Sequence, residues 1–219
     1  IEYLEDDAEL LKLFANTRVP FQGGDWFVNA ATQPPLYHTM LNIPETLGEL
    51  EQQLGVDIQA NIANEEVSRS GFLNSGVSAQ NRVIERHEIP VASTRSFWIS
   101  YDFAAEGGPR TNIFANPLDF EPAGSEVIFT LPNGLHAYMV TAASGLRLDE
   151  APDDIVVDPQ QVDNNVRNGI SCMSCHESGM KLKKDDLRDF VESSASFGFE
   201  TKRTVAALHP PANEFQALI

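Results

Sequence analysis

The stretch EVIFTLPNGLHAYMV, residues 126–140, decides the fold in the middle of the chain. Two apolar runs rich in β-branched and aromatic residues flank a Pro-Asn-Gly sequence, and Asn and Gly tolerate the positive φ angles of a tight hairpin turn. We therefore predict two antiparallel strands joined at residues 132–134. Period-two alternation gives the second strand two faces, one with Leu135, Ala137 and Met139 and the other with His136, Tyr138 and Val140.

Two further segments upstream have the same strand composition, RVIERHEI at 82–89 and SFWISYDF at 96–103. Turn residues separate them from each other and from the hairpin, whose own strands we place at 126–131 and 135–142. The expected fold class is α+β, with a small antiparallel sheet in the middle of the chain and a helical C-terminal third. We divide the chain into an N-terminal α+β region, 1–144, and a helical region, 145–219, that pack as one compact unit.

Helical patterns occupy both ends of the chain. Residues 1–15 place apolar side chains at helical spacing, and IPETLGELEQQLGV at 43–56 has Pro44 near its start and Gly55 just after its end. Between them, residues 22–40 mix Gly and Pro with aromatics, which predicts an irregular segment that packs on the rest. The C-terminal third is expected to hold three helices: one leading into the cysteines, one near 184–194 and one near 200–208.

The charge balance limits the partners. The 15 Lys and Arg residues face 32 Asp and Glu, so the net charge of −17 would repel nucleic acid phosphates and anionic lipids. We expect no nucleic acid ligand and a protein partner with a basic docking surface. No apolar run reaches the roughly 18–20 residues of a membrane span. The chain opens on Ile1 with neither Met nor a leader, which suggests a piece of a longer polypeptide.

Both cysteines of the chain lie in CMSCH, residues 172–176. On a helical turn, residues three apart share one side, so Cys172 and Cys175 can add to two vinyl groups at the edge of one porphyrin. His176 follows directly and can supply a neutral nitrogen ligand to iron. The spacing therefore predicts a covalent c-type haem.

Two other uses of this motif stay open but are less favoured. A structural zinc site wants four ligands, usually from two Cys pairs, and this chain has one pair. A redox-active dithiol belongs at a helix start soon after an early strand of a βαβ unit, whereas here about 170 residues precede it.

The motif resembles that of the c-type cytochromes, and in the strict sense the resemblance covers Cys172 to His176. Other stretches, among them DWFVNAATQPPLYH and LPNGLHAYM, look like a group of larger bacterial extracytoplasmic haem proteins. The resemblance implies one covalent haem c, electron transfer and a periplasmic or cell-surface location. In small class I cytochromes the motif lies near the N-terminus, so their second ligand position cannot be carried over.

The second axial ligand is sought among the histidines and methionines. We choose Met139, because it lies on an apolar strand face and a thioether stabilises reduced iron. The alternatives, in order of preference, are His209, His38 and an open sixth position. Two methionines are excluded as ligands. Helical spacing places Met180 beside the His176 imidazole and not on the opposite side of the haem ring, and Met173 lies inside the attachment motif.

An open sixth position would favour a haem enzyme of peroxidase-like type, with His87 beside Arg86, or His38, handling peroxide. Arginines also offer bidentate partners for haem propionates, and the candidates are Arg69, Arg82 and Arg86. Ion pairs with Glu85, Glu88 and other neighbouring acids are the preferred explanation of these arginines.

Overall fold

The computed structural model describes residues 24–74, 80–90, 95–105, 108–152, 155–159 and 161–219. The helix predicted over 1–15 lies outside the described residues. Within them, six strands form one antiparallel sheet in which each strand pairs with the next along the chain. The strands are β1 (Ser68–Phe72), β2 (Arg82–Glu88), β3 (Ser96–Asp102), β4 (Gly124–Thr130), β5 (His136–Ala142) and β6 (Arg147–Leu148).

The sheet confirms the α+β class and the four predicted strands, each within two residues of its expected bounds. β4 and β5 form the hairpin, with Ile128 opposite Tyr138 and Gly134 at φ 85° in the turn. β1 and β6 were not predicted. The predicted division after residue 144 falls in the turn between β5 and β6, and the division itself stays a prediction.

Helices flank the sheet on both sides in sequence. They are α1 (Gly24–Ala31), α2 (Leu36–Leu41), α3 (Leu47–Leu54), α4 (Ile58–Ala63), α5 (Ile170–Cys175), α6 (Leu187–Ser193), α7 (Phe199–Leu208) and α8 (Ala212–Gln216). The prediction of an irregular segment over 22–40 is wrong, because α1 and α2 lie there. No helix of the described ranges is long and apolar enough to cross a membrane.

Local sequence explains where α3 begins and ends. The Thr46 hydroxyl accepts from the Glu49 backbone amide, and the Glu49 carboxylate accepts from the Thr46 amide at 3.0 Å, a capping box. Gly55 ends the helix at φ 69°, a conformation that a residue with a Cβ rarely adopts.

The main apolar core lies on one face of the sheet, which we call the core face. Leu50 of α3 and Ile58 of α4 are buried there against Ile99, Val127 and Met139. A second cluster forms where Val83 and Phe103 of the same face meet Leu187 of α6 and Val205 of α7. The helices α6 and α7 thus cover the core face near β1, while Phe215 of α8 packs against Trp98 on the opposite face.

Candidate functional site

A cavity of about 350 Å³ lies on the opposite side of the sheet, within the range typical of small-molecule sites. Strand pairing brings Ile84, Trp98, Ile128 and Tyr138 onto this side, which we call the cavity face. Val156 and Val166, from the segment after the sheet, add apolar surface. A largely apolar wall of this size suits a flat hydrophobic cofactor.

The helix α5 brings both thiols to the cavity. It begins after Gly169, which has φ 94° and approaches the Thr32 carbonyl and the Tyr37 ring so closely that a Cβ would clash. The Tyr37 hydroxyl in turn accepts a 2.8 Å hydrogen bond from the Tyr138 amide, which joins α2 to the edge of β5. Cys172 and Cys175 therefore line the cavity from one turn of a helix that is fixed against the sheet.

His176 follows α5 and also lines the cavity. Its Nδ1 lies 3.1 Å from the Gly179 carbonyl oxygen, and because that oxygen only accepts, Nδ1 carries the proton. The Nε2 lone pair is then available to a metal, the second-shell arrangement usual for ligating histidines. Burial lowers the pKa of His176, which favours the neutral ring. Its ring centroid lies 6.1 Å from that of Tyr138 on the cavity face.

The environment of the two thiols differs from that of a redox-active pair. Burial raises the pKa of Cys172 to about 12 and also raises the pKa of Cys175. Catalytic dithiols depend on a lowered thiol pKa, so this environment disfavours the dithiol alternative. No disulfide joins the two cysteines in the structure.

A zinc site also lacks structural support. Across the described ranges, no three His, Cys, Asp or Glu side chains converge in the way that a metal ion requires. The two thiols and the imidazole of the motif do not form such a group.

A buried charge cluster of Arg82, Asp102 and Glu126 adjoins the cavity, and two of its members line it. The Arg82 guanidinium forms ion pairs with Asp102 and, at 3.2 Å, with Glu126. Two carboxylates thus share one cation in a site where Arg82 and Asp102 are nearly inaccessible to solvent. Burial, aided by the charge of Glu126, raises the pKa of Asp102 to about 7 despite the opposing effect of Arg82.

This shift predicts a pH-dependent difference in stability between the wild type and Asp102→Asn. A carboxyl whose folded pKa is raised from 3.8 to about 7 binds its proton more tightly in the folded state. The stabilisation that comes from this tighter proton binding is fully present below the pKa of the unfolded state. It is lost as the pH rises through the pKa of the folded state. Between pH 4 and pH 7 the free energy of unfolding of the wild type should fall by an amount on the order of a few kcal/mol relative to that of Asp102→Asn.

Urea unfolding at several pH values measures this difference. Titrations of His38, His176 and His209, whose pKa values are lowered by burial, occur in both proteins and cancel in the comparison. Asp119→Asn is the matched control, because Asp119 is exposed and pairs with the exposed Arg110. Parallel curves for the wild type and Asp102→Asn would contradict the prediction.

The structure places Met139, the predicted sixth ligand, in a way that does not favour that role. Met139 borders the cavity, but it alternates with Tyr138 and is fully buried in the core-face cluster with Val127. The predicted alternation of β5 is correct, and it directs the thioether away from His176. The assignment of Met139 as a ligand stays a prediction without geometric support.

The two histidine alternatives have other partners. His38 Nε2 lies 2.8 Å from the side-chain amide nitrogen of Asn168, which only donates, so the lone pair is engaged. His209 is buried with its Nδ1 2.9 Å from Asp185, and it is not among the described residues that line the cavity. Neither imidazole meets His176 across the cavity.

Of the three arginines considered for propionates, only Arg82 lines the cavity. Arg69 forms a buried ion pair with Glu85 on the core face. Arg86 is on the cavity face, but its guanidinium lies 5.9 Å from the Trp98 ring centroid and 3.7 Å from Glu88. Ion pairing with neighbouring acids is thus present at all three.

Several cavity residues were missed from the sequence. Met180 lines the cavity, although helical spacing had set it aside, because α5 ends at Cys175 and Gly179 turns the chain at φ 94°. Lys181 and Lys183 line it too. A glycine four residues after the second cysteine was the available signal for this change of direction.

Comparison of the chain with known proteins found no significant similarity. No family model matches the chain, and no curated protein or solved structure is significantly similar to it. The function is therefore inferred from the chain's own residues and their geometry.

Proposed function

We propose that the protein is a mono-haem c-type cytochrome that acts in electron transfer. Cys172 and Cys175 would hold the haem through thioethers, and His176 Nε2 would bind its iron. The observation that carries the proposal is the convergence of both thiols and an oriented neutral imidazole on one apolar cavity. The bound haem would supply one-electron exchange.

The chain's own residues fit this group in three respects. The thiols come from one helical turn, so they can reach one edge of a planar ring. The Gly179 carbonyl orients the imidazole and leaves Nε2 free. The cavity face supplies Trp98, Tyr138 and aliphatic side chains, which would shield a bound haem from water and so favour the iron state of lower charge.

The location and partner follow as further parts of the proposal. Thioether attachment is completed outside the cytoplasmic membrane in bacteria, so we place the mature protein in the periplasm or at the cell surface. The net charge of −17 alone favours a redox partner with a basic docking surface.

The decisive experiment is expression in the bacterial periplasm with and without a cytochrome c maturation apparatus. We expect the matured protein, after denaturation, to retain the mass of one haem and to give the pyridine haemochrome spectrum of a bis-thioether haem. Without the apparatus it should be colourless. Matured protein with two free thiols and no added mass would refute the proposal.

The second candidate is a peroxidase-like haem enzyme with an open or weakly held sixth position. It is favoured by one observation: the predicted ligands Met139, His38 and His209 are all directed elsewhere or engaged. His87, the proposed peroxide-handling residue, is buried on the core face against Glu85. The spectrum of the oxidised protein distinguishes the two, since only a high-spin open site responds rapidly to cyanide or peroxide.

A further inference from the structure

The helices α1 and α2 expose an apolar surface in a stretch of sequence that carries no charge. Residues 26–44 contain no Asp, Glu, Lys or Arg, although 21% of the residues in the chain are charged. Five large apolar side chains of this stretch are each between 41% and 59% exposed: Trp26, Phe27, Val28, Leu36 and Met40. We call these five residues the α1–α2 patch.

Helix α2 holds part of the patch on a rigid support. Tyr37 and Leu41, four residues apart on the helix, pack on the main core, and the Tyr37 hydroxyl accepts a hydrogen bond from the Tyr138 amide. Leu36 and Met40, also four residues apart, share a neighbouring face of the helix and remain exposed. The apolar side chains of the patch are thus presented by an element that is fixed to the sheet.

Helix α1 lacks a buried face. None of the residues Gly24–Ala31 is buried, although Trp26, Phe27 and Val28 lie in the first half of the helix. Isolated helices shorter than about 12 residues are marginal in water, and most helices in proteins gain their stability by packing an apolar face. Helix α1 therefore carries apolar surface that a partner would bury.

The size of the patch matches a small specific interface. Five large apolar side chains that are each about half exposed present on the order of 500 Å² of surface. Two such patches face to face would remove roughly 1,000 Å² from water, which is about the smallest area of a biological interface. Trp, Phe and Met are also side chains that protein interfaces favour.

Charge selects a second copy of the chain as the partner. Each copy has a net charge of −17, so two copies repel each other through any face on which acids predominate. Charges adjoin the uncharged stretch without entering it: Asp25 and Glu45 at its ends, Asp149 at 3.4 Å from His38, and Arg147, which donates to the Pro44 carbonyl. A charged partner would find no counter-charge within the patch, whereas an identical patch matches it in polarity.

We propose that two copies of the chain associate through their α1–α2 patches as a symmetric dimer. In a two-fold contact of this kind each patch is buried by the same patch of the other copy, which closes the assembly at two. The inference goes beyond the proposed function and does not depend on haem. Because the acids outside the patch repel one another, salt screens this repulsion and should strengthen the dimer. A contact held by opposite charges would weaken instead.

Sedimentation velocity over a series of protein concentrations, at low and at moderate NaCl, tests the dimer. We expect a reversible monomer–dimer equilibrium with a dissociation constant on the order of micromolar, which decreases when NaCl is added. Val28→Glu should raise this constant at least about tenfold, because it places like charges opposite each other in an apolar contact. Leu135→Glu is the matched control, since Leu135 is also exposed and adds the same charge outside the patch, between β4 and β5. A monomer at every concentration, or equal weakening by both variants, would overturn the proposal.

Trp26 supplies a second measurement that works with or without haem. Labelling with fluorotryptophan gives fluorine resonances for two residues, the exposed Trp26 and the buried Trp98. The Trp26 resonance should show the solvent isotope shift of an exposed side chain in dilute protein and lose it as the dimer forms. A small isotope shift that is the same at all concentrations would show that another part of the same chain covers the patch. Protection that requires phosphatidylcholine vesicles would assign the patch to a lipid surface, and either result overturns the dimer.

Discussion

Replacing both Cys172 and Cys175 by alanine is expected to abolish covalent haem attachment completely. The two thiols line one cavity from a single turn of α5, and no other cysteine exists in the chain to replace them. Intact mass after denaturation should lose the haem increment, and a haem stain of the denaturing gel should be blank. Each single alanine variant keeps one thiol and should retain a single-thioether spectrum at reduced yield.

Met173→Leu is the matched control, because Met173 lies between the two cysteines and packs on the core without a proposed role in attachment. It should mature like the wild type. His176→Ala separates the two functions of the motif, since it removes the proposed iron ligand but neither thiol. We expect it to keep the covalent mass and lose the wild-type absorption spectrum. Haem attachment that survives in the double alanine variant would exclude the thioether assignment.

The strands were predictable because their signals are local. In β4 and β5 the alternation of side chains and the Pro-Asn-Gly turn are contained within 15 residues, and they fix both pairing and faces. β1 carries no such signal. Its sequence, SRSGF, is polar, and its stabilising contacts come from residues that are distant in sequence. Arg69 pairs with Glu85, and the Gly71 amide donates to Asp185.

The first two helices were missed because Gly and Pro were interpreted as breakers within an irregular segment. In the structure the two prolines lie between α1 and α2, where they are tolerated. Pro35 immediately precedes α2. A proline can therefore mark where a helix begins, and a segment beside it can be short and still helical.

For the site, sequence spacing identified the motif but not its surroundings. The wall of the cavity comes from five strands and the later part of the chain, so its members share no local pattern. Alternation correctly separated Met139 from Tyr138, yet only the tertiary structure shows that Tyr138, not Met139, faces His176. Which face of a strand meets a distant motif depends on how the whole chain packs.

Arg69→Met is expected to destabilise the fold by about 3–5 kcal/mol, because it leaves the Glu85 carboxylate buried without its main counter-charge. Glu85 is fully buried on the core face and pairs with Arg69. It also accepts from His87 Nε2 at 2.8 Å and from the Tyr101 hydroxyl at 2.9 Å. Although burial opposes this, hydrogen bonds from His87 and the charge of Arg69 lower the pKa of Glu85, so it is a carboxylate at neutral pH.

Urea unfolding at pH 7 measures the loss, with Arg203→Met as the matched control. Arg203 also pairs with a carboxylate, Glu65, at 2.8 Å, but both side chains are exposed, so its loss should cost much less stability than the loss of Arg69. The double variant Arg69→Met with Glu85→Gln should recover part of the stability, because the amide carries no charge to leave unpaired. Equal losses for Arg69→Met and Arg203→Met would show that burial of the Glu85 charge does not determine the strength of this contact.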